Sequence, residues 1–219
     1  MSMELLSKIE NHWKSITNSE AYINTVKSGK ANGLMIGRLL AGTRYLIQHT
    51  PIHLSLALKE AQKLGVEYDW LRSYFEEHLQ EEVGHDAWAT QDLKNLSIQV
   101  ETIDDSVSES MKSFVTYVEN IIRKDVRLYP AYILWAEYAV VVGAEEFAKD
   151  LKEFCNIDAS ALSVFLKHAK LDQLHAAEGV EVLDKLVQLD FDLSEKFLHL
   201  IDETTSHYGL FFNDITEGA

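Results

Sequence analysis

The stretch Lys167–Gly179, KHAKLDQLHAAEG, spaces His168, Asp172 and His175 at i, i+4 and i+7. About ninety residues earlier Glu76–Trp88, EEHLQEEVGHDAW, repeats that spacing with His78, Glu82 and His85. In a helix those offsets share one face, a restriction that solvated charges do not need. Ala161, Val164, Phe165 and Leu171 lie on the face of the later triad, and Gly179 and Val182 continue it. The earlier face reads Leu71, Tyr74 and Phe75, then the triad, then Trp88 and Ala89. Both triads therefore interrupt apolar stripes, and the pattern predicts a helical bundle with polar groups pointing inward.

Working outward, apolar residues recur at helical spacing along almost the whole chain, and no segment alternates as a strand. Helices are predicted over 2–17, 31–49, 51–64, 68–96, 105–126, 130–153, 159–188 and 193–213. Pro51 and Pro130 each suit a first helical turn, where a missing N–H costs nothing. Asp158 and Asp192 are expected N-caps. The clearest loop is NLSIQVETIDDS, 95–106. It contains no Pro/Gly/Ser linker, so residues 1–219 are expected to form one all-α domain, a bundle of about eight helices.

The 35 acidic residues outnumber 20 basic ones, a formal charge of −15 that repels phosphate backbones and anionic lipid. No nucleic-acid or membrane partner is expected. The single cysteine, Cys155, leaves no internal disulfide or Cys-based zinc cluster and fits a reducing compartment. It has no neighbouring histidine, which argues against a nucleophilic role. The N-terminal segment lacks a signal-peptide core, so a cytoplasmic location is expected.

The longest apolar run, Ala131–Ala144, AYILWAEYAVVVGA, is too short to span a bilayer and is broken by Glu137. A carboxylate buried there needs a cation, a hydrogen-bond partner or a proton. A metal ion satisfies it together with the two triads. Imidazoles and carboxylates suit iron, manganese or zinc. The seven candidates are His78, Glu82, His85, Glu137, His168, Asp172 and His175. They are too many for one tetrahedral zinc and suit two irons with open positions for O2. A buried histidine/carboxylate hydrogen-bond network without metal is the competing reading, because a single such pair on a helix is commonly an ion pair. Glu81 is expected to be solvated, although it could exchange roles with Glu82. Glu178 is read as a surface residue, and His49 and His53 as helix-end residues flanking Pro51.

These residues resemble the heme-oxygenase-like superfamily, in the branch with thiaminase II, pyrroloquinoline-quinone synthase and the non-heme di-iron oxidases. The pattern is most similar to the di-iron oxidases. There an acid and a histidine on one helix, a Glu on a middle helix and a late His-x3-Asp-x2-His supply the ligands. The matching positions are Glu82 and His85, then Glu137, then His168, Asp172 and His175, and the resemblance covers about residues 30–210. It implies a heme-oxygenase-like fold, two iron ions with manganese as a substitute, and a homodimer. The implied activity is that of an O2-activating oxidase or oxygenase with a small-molecule substrate. His78 stands where some members carry Glu, so either it supports Glu82 or the ligand set differs. Ala131 follows Pro130 where the thiaminase branch places a cysteine, which argues against thiaminase chemistry. Two alternatives are a metal-free, pyrroloquinoline-quinone-synthase-like or other small-molecule enzyme using the histidines as acids and bases, and a non-catalytic ligand-binding protein.

Overall fold

Asn32 opens the longest helix by folding its side-chain oxygen over the amides of Leu34 and Met35. In the computed structural model, which describes residues 2–97 and 107–217, that helix is the second of eight. The eight are α1 (Ser2–Thr17), α2 (Gly33–Ala61), α3 (Asp69–Glu82), α4 (Asp86–Asn95), α5 (Glu109–Lys124), α6 (Tyr129–Cys155), α7 (Ser163–Leu189) and α8 (Leu193–Thr216). Short helical turns connect several of them, and no strand occurs among the described residues. Most of the predicted loop, 98–106, lies outside the described residues.

Two predicted boundaries are corrected. Pro51 does not open a helix but sits inside α2. An internal proline costs roughly 3 kcal/mol. Here Leu39, Leu40, Leu54 and Ala57 bury the helix on both sides of it, and this packing overrides the local break. Conversely, the helix expected over 68–96 is interrupted. Val83 is extended (φ −64°, ψ 119°) and Gly84 is left-handed at φ 92°. A Cβ on Gly84 would meet nothing within 4 Å, so backbone conformation rather than space makes glycine suitable there.

The remaining ends follow local chemistry. Pro130 occupies the first turn of α6, as expected, and left-handed Asn156 ends that helix. Asp158 caps a short turn, Ala159–Ala161, rather than the long helix. Asp192 makes no side-chain cap; its own amide donates to Asp190. The start of α7 is held from another helix. Asp92 of α4 is fully buried and accepts from the Val164 amide at 2.8 Å and from the Ser163 hydroxyl. That cap fixes the first turn of the helix that carries His168.

α6 and α7 pack antiparallel. Gly179 lets Leu134 approach, and one turn further Glu137 faces His175 at 3.8 Å. Of the predicted stripe, Ala161 in the turn before α7 and Val164, Gly179 and Val182 on it are buried. Leu171 is not: it is 44% exposed. Its offset from Asp172 turns it away from the α6 contact.

Candidate metal centre

Six of the seven predicted ligands fall into two close groups, with the seventh, Asp172, beside one of them. His78, from the last turns of α3, places Nε2 3.1 Å from Glu137 Oε1, and its Nδ1 lies 3.2 Å from the Tyr74 carbonyl. That carbonyl accepts the Nδ1 proton, which leaves Nε2 facing the carboxylate. The His175 ring stands 5.4 Å from the His78 ring, with Nδ1 3.5 Å from Asp172. His78, Glu137 and His175 thus offer one donor atom each within 4.8 Å of one another. Glu82, His85 and His168 form a second such group. His85 Nδ1 is 3.4 Å from Glu82, and its ring meets His168 edge-on at 5.1 Å. Asp172 joins neither trio by its donor atoms, but it is buried against His175.

The kink at Gly84 builds the second trio. Glu82 ends α3 and His85 precedes α4, so His85 reaches Glu82 across a turn rather than along one helical face. Trp88 stacks on His85 at 4.2 Å and meets His168 edge-on at 5.1 Å, walling both rings. The His168 Nδ1 lies 2.8 Å from the Val164 carbonyl, which fixes its tautomer and frees Nε2.

Glu81 departs from expectation. Its side chain is half exposed, yet Oε2 lies 3.3 Å from His175 Nε2. His85 and His175 therefore flank adjacent carboxylates. Helical spacing placed Glu81 off the ligand face; only the meeting of α3 with α7 brings it to a histidine. His53 is also misread as a helix-end group: it is buried in mid-α2, and burial depresses its pKa to about 4.

The electrostatics of the metal-free protein are strained. Burial raises the Glu137 pKa to about 7, although His78 opposes the shift. The Asp172 carboxylate, with Glu137 and Glu81, lifts His175 to about 9 against the effect of burial. Burial disfavours charged His78, but Glu137 outweighs it and raises its pKa. Burial likewise disfavours ionised Glu82, but His85 and His168 hold its pKa below the ordinary value. Among the buried atoms without a hydrogen-bond partner are Glu137 Oε2, His85 Nδ1 and His175 Nδ1, together with the hydroxyls of Tyr74 and Tyr129 nearby. The short contacts of the two imidazoles are too misaligned to count as hydrogen bonds. Orphaned acceptors and nitrogens gathered at two points are what a bound cation relieves. The donor set is mixed imidazole and carboxylate, so the residues fit iron, manganese or zinc.

A cavity of about 190 Å³ adjoins both trios, with His78, Glu82, Glu137, His168 and Asp172 in its wall. The rest of the wall is mainly apolar and aromatic. Tyr129 and Tyr132 line it, and burial pushes both phenols above their ordinary range, so they stay protonated.

No protein-family model matches the chain, and no curated protein does. Solved structures do. A domain of unknown function with a heme oxygenase-like fold from Shewanella denitrificans superposes with a TM-score of 0.83 at 22% identity, covering 97% of this chain and 90% of that one. A TenA homolog from Pseudomonas syringae pv. tomato gives 0.72 at 14% identity, covering 97% and 91%. No helix among the described residues is long and apolar enough to cross a membrane.

Proposed function

We propose that this chain, whose fold is heme-oxygenase-like, is an iron-dependent oxidase or oxygenase that uses O2 on a small organic substrate. His78, Glu137 and His175 would hold one ion, with Asp172 beside them, and Glu82, His85 and His168 a second. The single observation that carries the reading is the pair of three-donor groups, with orphaned buried atoms in both, beside one apolar cavity. Bound iron would supply the electrons and the open coordination positions that O2 needs.

The chain's own residues do the rest. The Tyr74 and Val164 carbonyls orient His78 and His168 so that Nε2 of each points at its trio. Trp88 excludes water from the His85 and His168 rings beside it. Tyr129 and Tyr132, held protonated by burial, add no competing negative charge to the cavity wall. Glu81 sits at the outer side of His175, where it balances that imidazole's charge.

One observation favours a second reading. The pKa of Glu137 near 7 and its 3.1 Å contact with His78 suit general acid–base catalysis without metal. Anaerobic ferrous titration followed by O2 exposure separates the two. The oxidase reading requires saturable ferrous binding and O2 uptake that His168→Ala abolishes. The acid–base reading requires neither.

A further inference from the structure

Outside both donor groups, three helices bring a hydroxyl, an imidazole and a carboxylate into line. His12 of α1 places Nδ1 2.6 Å from Thr205 Oγ1 and Nε2 3.2 Å from Asp202 Oδ1, both on α8. Asp202 and Thr205 are three positions apart on that helix, so they share the face turned to α1. Trp135 of α6 donates its indole N–H to the same Oγ1 at 2.9 Å. Lys8, one turn before His12, holds the other Asp202 oxygen at 2.9 Å. His12, Trp135 and Thr205 all line the cavity. Among the described residues no hydrogen bond or ion pair joins them to either donor group.

Counting protons assigns the roles. Asp202 accepts, so the proton of a neutral His12 sits on Nε2 and Nδ1 keeps its lone pair. Burial, helped by Lys8, lowers the His12 pKa despite Asp202, so the ring is neutral at pH 7. Thr205 has one O–H and two acceptors in reach, Nδ1 at 2.6 Å and the Ile201 carbonyl at 2.8 Å. Trp135 is a donor only, so it fixes the oxygen without competing for the base. A hydroxyl directed at an imidazole that a carboxylate orients is the arrangement that activates an alcohol for attack. One turn on, Tyr208 also lines the cavity. Burial keeps its phenol protonated, and its hydroxyl has no hydrogen-bond partner among the described residues. It is the donor available to an oxyanion formed at Thr205.

We propose that Thr205, His12 and Asp202 form a second reactive centre, an acyl-transfer site that cleaves neutral carboxylic esters at the cavity wall. It does not depend on the oxidase reading, because no donor of either group takes part. Thr205 Oγ1 adds to the ester carbonyl carbon as its proton passes to His12 Nδ1. The bond to the alcohol oxygen then breaks, and His12 gives that proton to the leaving alcohol. Water attacks the acyl-Thr205 ester, again passing a proton to His12, which returns it to Oγ1 as the carboxylic acid leaves. Asp202 is a positioning residue: it holds the ring and offsets its transient charge. The largely apolar lining and the formal charge of −15 select uncharged esters over anionic ones.

The test uses the full chain, as purified and after metal chelation, with 4-nitrophenyl butyrate. Nitrophenolate release gives the rate, and peptide mass spectrometry of acid-quenched protein locates the butyryl group. Both preparations should turn over equally, so iron content bears only on the oxidase reading. Thr205→Val and His12→Gln should each lower the rate about a hundredfold, whereas Thr205→Ser, which keeps the hydroxyl, should retain it. Where the valine variant loses helicity, the serine variant and the position of the butyryl group decide. The charged groups facing His12 are Lys8 on its own helix and Asp202 on α8. The wild-type rate should rise with pH to a plateau, with a midpoint below 6.5. Asp202→Asn should lower that midpoint and Lys8→Met should raise it; a purely structural cluster would move neither. Turnover that disappears with the metal overturns the proposal. So does a folded Thr205→Val chain at the wild-type rate, butyryl groups confined to lysines, or a midpoint that neither charge variant moves.

Discussion

His78 Nε2 lies 3.1 Å from Glu137 Oε1, joining the end of α3 to the middle of α6 inside the core. Both side chains are buried, and the second oxygen of Glu137 has no partner. Breaking such a contact from one side leaves the other group desolvated and alone. In metal-free protein, His78→Leu and Glu137→Leu should each destabilise, while the double variant regains most of the loss. The coupling energy should be about 1–3 kcal/mol. Urea denaturation of the four proteins measures it, and strict additivity would remove the contact from the account.

The pH dependence follows from His175, whose pKa rises from 6.5 to about 9 on folding. A raised histidine pKa means the folded state binds the proton more tightly. Its stabilisation is complete below pH 6.5 and is lost as pH climbs through 9. Glu137, raised from 4.5 to about 7, has the same sign over a lower range. Metal-free wild type should therefore lose on the order of 1–3 kcal/mol relative to His175→Gln across the higher window. Metal displaces that proton, so ferrous binding should strengthen over the same range. Thermal melts at stepped pH, with and without metal, report both slopes.

Gly84 holds a φ of 92° with open space around it. Gly84→Ala should cost about 1–2 kcal/mol through the backbone alone. Because His85 follows directly, the variant should also weaken the group with Glu82 and His168 more than the one at Glu137. A melt combined with metal content checks both parts. Full stability in the alanine variant would show that the kink is not enforced at this residue.

Asp92 caps α7 from α4, and its loss leaves the Val164 amide and the Ser163 hydroxyl unpaired. Asp92→Ala should destabilise by about 2 kcal/mol. His168 lies one turn beyond the cap, so its ligand group should bind metal more loosely, whereas Asp92→Asn should retain part of both. Equal behaviour of the two variants would contradict the capping role.

Much of the site was legible because burial of polar groups leaves a signature in one dimension. His168, Asp172 and His175 interrupt an apolar stripe, and Glu137 stands alone in an apolar run; Glu137, Asp172 and His175 come together, and His168 joins the neighbouring group. What escaped depends on tertiary contact. Pro51 reads locally as a helix start, yet packing of Leu39, Leu40 and Leu54 carries α2 through it. His78, Glu82 and His85 read as one helical face although Gly84, visible in the sequence, marks the break. Asp92 and Glu81 carry no pattern at all, since their partners Val164 and His175 lie on a helix far along the chain.

The central claim is that two groups of donors each hold a cation. Elemental analysis of protein purified from iron-supplemented medium tests it most directly, beside His78→Ala and His168→Ala variants of confirmed helicity. The account predicts about two equivalents of iron or manganese per wild-type chain and about one in each single variant, with almost none when both are replaced. Wild-type protein carrying well under a tenth of an equivalent, unchanged by either substitution and by anaerobic ferrous loading, would contradict it.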